Sequence, residues 1–196
     1  MMDNLFIQPG VSGTRRRLFV AIDLPATVKD QLDMMQTHIP TARWVKRPQM
    51  HLTLFFLGET DRLVDIKGAL ASIEAPSFEL TLTGVGRFPK RPKQPPRVLW
   101  VGIDAELALT QLHEQVTAVL AEIGYAPQDR HFSPHITLAR LKTRETLPEV
   151  DAFLNTYGAF RMPAIPITDF VLFSSVLSPQ GPRYEVEAVF SLQANK

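Results

Sequence analysis

The feature that most limits what this chain can fold into is an internal repeat. LFVAID at 18–23 returns as LWVGID at 99–104, and HLTL at 51–54 returns as HITL at 135–138. Two landmarks thus recur in the same order at offsets of 81 and 84 residues, which points to duplication of a whole unit. The intervening segments agree. Pro25 suits a helix start, and Val28, Leu32, Met35 and Ile39 follow at helical spacing. In the second copy Leu109, Leu112, Val116, Val119, Leu120 and Ile123 do the same and run into Gly124, a natural stop. Leu63, Ile66, Leu70 and Ile73 predict a second helix in copy one; Leu147, Val150, Phe153, Leu154 and Tyr157 predict its counterpart. Strand-like runs at 78–88, 165–177 and 183–192 complete the plan.

The fold class expected from this is α+β. It consists of two similar lobes related by a pseudo-twofold, two mostly antiparallel sheets facing a central cleft, and helices on the outside. Residues 1–14 read as an N-terminal extension without the basic start and apolar core of a signal peptide, and 15–196 as a single bilobal domain. With 45% hydrophobic and 21% charged residues, an ordinary globular protein is expected. The absence of cysteine excludes disulfides, thiolate metal sites and a cysteine nucleophile, and fits a reducing cytoplasm. No apolar run is long enough to span a membrane. A net charge of only +1 excludes a bulk polyanion coat, so any nucleic-acid binding must use local patches. The basic runs are RRR at 15–17, RWVKR at 43–47 and RFPKRPKQPPR at 87–97; the last has five basic residues and no acidic one.

HLTLFFL and HITLARL carry strand-forming residues without internal Gly or Pro. On a strand, residues i and i+2 share a face, so His51 pairs with Thr53 and His135 with Thr137, opposite an anchoring apolar face. If the lobes face each other, two imidazoles and two hydroxyls meet. That set can open a phosphoester without a metal. One neutral His accepts a proton from water, the other gives a proton to the departing oxygen, and the threonines donate to phosphate oxygens. Residue chemistry alone does not say which His takes which role. His38 and His113 read as surface or packing residues. His131 and His135 have the i, i+4 spacing of a zinc pair, but Pro134 opposes a helix there and no HExxH glutamate follows, so no metal is expected.

Five segments in register, RLFVAIDLP, HLTLFFLGE, RVLWVGI, FSPHITLAR and GPRYEV, resemble the bacterial and archaeal RNA 2′,3′-cyclic phosphodiesterases. These are also called 2′-5′ RNA ligases, of the two-histidine phosphoesterase superfamily. The resemblance runs from about Arg17 to Leu192. It implies a bilobal enzyme that opens a terminal 2′,3′-cyclic phosphate on RNA to a 2′-phosphate. His51 would be the proton donor, His135 the proton acceptor, and Thr53 and Thr137 the phosphate binders. It also implies ATP-independent 2′-5′ ligation at the same site, and no GxxxxGK[ST] string is present; hydrolysis of a small cyclic or 2′-5′-linked nucleotide there is a further alternative. Expected partners are RNA ends carrying the cyclic phosphate, tRNA fragments among them, met by a monomer without cofactor or metal. Arg130 is the expected phosphate contact, because Arg140, an odd number of residues past His135, faces away on a regular strand. Phe19 is the expected stacking partner for a base. A binding module that recognises RNA ends without catalysis is the other class of function, though Arg or Lys would serve mere binding better than two HxT strings.

Overall fold

A computed structural model describes residues 14–91, 93–126, 132–178 and 181–194. The described residues form nine strands and four α-helices. The first repeat comprises β1 (Arg16–Asp23), α1 (Ala26–Asp33), the short β2 (Ala42–Trp44), β3 (His51–Thr60), α2 (Leu63–Ala71) and β4 (Phe78–Phe88). The second comprises β5 (Val98–Ile103), α3 (Leu107–Glu122), β6 (His135–Leu141), α4 (Pro148–Tyr157), β7 (Arg161–Ile167), β8 (Asp169–Ser178) and β9 (Gly181–Ser191).

Local sequence explains the boundaries. Pro25 caps α1, which ends at Asp33; Met35 and Ile39 stay buried beyond the helix, so their spacing overstated its length. The Glu106 carboxylate accepts from the Ala108 amide at 3.2 Å and starts α3, and Gly124, at φ +91°, stops it. The apolar run at 165–177 divides at Thr168 into two strands.

The α+β class and the repeated plan stand. The strand order among the described residues is β7-β4-β5-β6-β3-β1-β8-β9, all antiparallel, with β2 added to β6. The two four-stranded halves are joined where β3 meets β6, through the partners Leu52 and Ile136. The two expected sheets are therefore continuous, one curled surface meeting at the HxT strands. Each half is also completed by the other repeat. β4 leaves the first repeat to lie beside β5, and β8 leaves the second to lie beside β1.

One face of the sheet carries the main core: Leu18, Val20 and Ile22 of β1, Leu99 and Val101 of β5, Leu52, Leu54, Ile136 and Leu138 of the HxT strands, under the buried faces of the four helices. Removing one such side chain costs about 2–5 kcal/mol, so this face fixes which way each HxT strand is turned. The opposite face is left for His51, Thr53, His135 and Thr137.

A candidate active site where the two repeats meet

The Leu52–Ile136 register places His51 across from Thr137, and Thr53 across from His135. Opposed positions on one sheet face stand about 5 Å apart and diagonal ones about 7–8 Å, a spacing at which two diagonal imidazoles can flank one phosphoryl group. Flanking strands add small residues beside them: Ala21 of β1 is the partner of Thr53, and Gly102 of β5 the partner of His135.

Both rings are held alike. The Nδ1 of His51 lies 2.7 Å from the Gln49 carbonyl, and the Nδ1 of His135 lies 2.8 Å from the Ser133 carbonyl. A carbonyl oxygen only accepts, so each Nδ1 carries a proton and donates it, leaving each Nε2 for chemistry. Gln49 is itself anchored, its side-chain amide donating to the Pro182 carbonyl at the start of β9. Neither carbonyl carries a side-chain signature, and sequence reading missed them.

The two histidines sit in different surroundings. His51 is enclosed by aromatic rings: Phe19 at 4.9 Å, Tyr184 at 5.3 Å and Phe173 at 6.4 Å between centroids. Burial pushes its pKa down to about 4, against a smaller upward pull from the Gln49 hydrogen bond and from Asp23, so the ring is neutral at pH 7. His135 stands edge-on to Phe88 at 5.1 Å and near Trp100 at 6.4 Å, both only partly buried. Burial also raises the Tyr184 pKa, which keeps its phenol protonated and able to donate.

A bulge corrects the reading of Arg140. β5 advances one residue from Leu99 to Trp100 while β6 advances two, from Ala139 to Thr137, so Leu138 is an extra residue. Leu138 and Ala139 are both buried, alternation flips, and exposed Arg140 joins the face of His135 and Thr137. Its charge opposes protonation of His51 and favours ionisation of Tyr184, so it is felt by the other half of the sheet. β3 repeats the device. Val20 pairs with Phe55 and Ala21 with Thr53, Leu54 is extra, and Phe56, 54% exposed, takes the place that Arg140 has in β6.

Phe19 is not the free platform that the sequence suggested. It is 3% exposed, stacked on Phe173 at 5.3 Å and flanked by Tyr184 and His51, so it walls the site. Phe56, 54% exposed, is far more accessible than Phe19 on this side of the sheet. Arg130 and His131 lie outside the described residues. Among the described residues no three histidine, aspartate or glutamate side chains converge as a metal site. His113 packs on Phe132 with ring centroids 3.8 Å apart, a structural role.

Trp100 is seated by two glycines. A Cβ at Gly86 would come within 2.1 Å of the Trp100 ring, and one at Gly102 within 2.6 Å of the Thr83 carbonyl. Gly86→Ala should therefore destabilise the fold by about 1–3 kcal/mol through overpacking, read as a lower urea midpoint, and unseat the wall beside His135.

Comparison with known proteins agrees with this architecture. Residues 25–168 match the 2′-5′ RNA ligase superfamily. The RNA 2′,3′-cyclic phosphodiesterase of Archaeoglobus fulgidus is 32% identical over 179 residues, 89% of this chain and 99% of that protein. The protein of the same name from Thermus thermophilus is 38% identical over 190 residues, 90% of each chain. Among solved structures, TT0787 of Thermus thermophilus superposes with a TM-score of 0.73 at 32% identity, covering 92% of this chain and all of that one. E. coli LigT complexed with 3′-AMP gives 0.72 at 29%, covering 91% and 98%. A profile match over more than half its length, with relatives above 30% identity along nearly their whole length, makes this chain a member of the 2′-5′ RNA ligase superfamily.

Proposed function

We propose that the site hydrolyses 2′,3′-cyclic phosphate ends of RNA to 2′-phosphates by metal-independent acid–base catalysis. The observation that carries this is the placement of both HxT pairs on one face at the β3–β6 junction, each ring offering its Nε2. His135 Nε2 takes a proton from a water as its oxygen attacks phosphorus. The bond from phosphorus to O3′ breaks, and His51 Nε2 delivers a proton to that oxygen. The phosphate stays on O2′, and each proton is accounted for. Thr53 and Thr137 donate to the non-bridging oxygens, and Arg140 draws the anion in. Phe56 offers a face for a base.

Burial holds His51 neutral at pH 7, so its role as acid depends on the substrate phosphate, whose negative charge favours the imidazolium. Relatives carry the name RNA 2′,3′-cyclic phosphodiesterase, and LigT has been solved with 3′-AMP and with phosphate. The superfamily description favours one further reaction. An RNA 5′-hydroxyl in place of water would form a 2′-5′ linkage with the same loss of O3′ from phosphorus. No helix among the described residues is long and apolar enough to cross a membrane. We take the enzyme as a cytoplasmic monomer acting on RNA ends, including those of tRNA fragments.

Incubation in chelator with an oligoribonucleotide ending in a 2′,3′-cyclic phosphate should give a 2′-phosphate end. Absence of turnover would refute the proposal, and a 3′-phosphate product would reverse its regiochemistry. Arg140→Gln should lower kcat/KM by about 10- to 100-fold, the worth of one charge-assisted hydrogen bond. An unchanged value would remove Arg140 from the site.

A further inference from the structure

Two sets among the cations of this chain contrast in their partners. Arg16, Arg17, Arg62 and Arg161 reach Glu187, Glu59, Asp65 and Asp104. Arg43, Lys90, Arg91, Lys93, Arg97 and Arg140 are all exposed, and none of them ion-pairs with a carboxylate among the described residues.

Topology gathers the second group. Arg43 of β2 is the partner of Arg140 of β6, Arg140 of Val98 of β5, and Val98 of Phe88 of β4. Directly opposed residues share a face, and the Phe88 ring lies against His135, so this row runs along the cleft side beside the HxT residues. Beyond Phe88 the chain enters the β4–β5 connection, which bears Lys90, Arg91, Lys93 and Arg97.

That connection is held from beneath. Arg87, 8% exposed, donates to the carbonyls of Pro89 at 3.2 Å, Arg91 at 2.7 Å, and Gln94. The Arg97 amide donates to the Phe88 carbonyl at 2.7 Å, and the Leu141 amide to the Arg97 carbonyl at 2.9 Å, tying the loop to β6. Burying a guanidinium is costly, and a plain hairpin connection has no need of one. Here it presets the shape of a segment whose exposed side chains are mostly cations.

We infer that this strip is a track for the sugar–phosphate backbone of single-stranded RNA upstream of the reacting end, so that oligoribonucleotides are preferred over nucleoside cyclic phosphates. The inference rests on the function proposed above. At a 3′ end the RNA continues only in the 5′ direction, so cations outside the reacting centre meet upstream phosphates. Neighbouring strands lie about 4.8 Å apart, so a row from β2 to β4 spans about 14 Å, more than one nucleotide covers. A nucleoside cyclic phosphate would fill the centre and leave the strip bare.

The test compares wild type with K90Q/R91Q/K93Q on two substrates, a nucleoside 2′,3′-cyclic phosphate and an octaribonucleotide with the same end. The variant should lose about 10- to 100-fold in kcat/KM on the octamer, mainly through KM, and stay within about twofold on the nucleoside. Its dependence of log(kcat/KM) on log[salt] should flatten by about 2, at roughly 0.7 per single-strand phosphate contact. Equal losses on both substrates, or none on the octamer, would overturn the track. If wild type cleaves neither, the function proposed above fails. Fluorescence anisotropy with a labelled octamer ending in a 3′-phosphate then decides the track alone: weaker binding by the variant upholds it, equal binding overturns it. Should the triple variant not fold by circular dichroism, R43Q replaces it in both comparisons, with the slope expected to flatten by about 0.7 and the loss confined to the octamer; an equal loss on both substrates, or none on the octamer, overturns the track.

Discussion

Replacing His51 or His135 by alanine should each lower kcat on a cyclic-phosphate RNA end by about 10²- to 10⁴-fold, with the far-ultraviolet circular dichroism unchanged. Each ring sits at the rim of the sheet, on the face opposite the helices, and its one hydrogen bond is to a carbonyl two residues away. Truncation therefore leaves the core intact. If the two rings act as acid and base in one displacement, as proposed, the double variant should be little worse than the poorer single one. Near-full activity in either single variant would refute the two-histidine mechanism, and strictly additive losses would refute the concerted use of both rings.

The second large effect concerns the proton on His51. Its ordinary pKa of 6.5 falls to about 4 in the folded protein, chiefly by burial among Phe19, Phe173 and Tyr184. The unfolded chain therefore binds more protons between those pH values, and stability rises with pH across that window. The contribution is fully present above about pH 6.5 and is lost as pH falls toward 4, up to about 3 kcal/mol. Urea midpoints of wild type and His51→Gln measured from pH 7 to 4 should converge on the acid side; parallel curves would show that His51 titrates normally. Inorganic phosphate should raise the His51 pKa in an NMR titration, since a bound anion favours the imidazolium. A pKa that stays near 4 with phosphate bound would transfer the role of acid to His135.

Much of this was readable from residues alone, for definite reasons. His-x-Thr on a strand forces two polar side chains to one face, and recurrence of LFVAID and HxTL identified two copies of one unit. What escaped were features that period-two counting cannot resolve. An extra residue just after each HxT motif, Leu54 in β3 and Leu138 in β6, reverses the facing of the positions that follow, which brought Phe56 and Arg140 to the cleft face. A signal did exist: the adjacent apolar pairs Leu54–Phe55 and Leu138–Ala139 interrupt alternation at equivalent places. Tyr184 lay unrecognised within the GPRYEV segment, because its approach to His51 depends on β9 lying beside β8. Strand patterns likewise reveal that 78–88 is a strand without revealing its neighbours, so the exchange of β4 and β8 was invisible. Phe19 was misjudged for a related reason, since burial of its faces is set by partners distant in sequence.

That exchange bears on cooperativity. Each half of the sheet holds a strand owned by the other repeat, so neither half can melt and leave its twin whole. Opening of β8 exposes the edge of β1, and opening of β4 exposes that of β5, each within one step of an HxT strand. Activity and tertiary structure should then vanish in one thermal transition, with no surviving half-protein to keep one histidine in place.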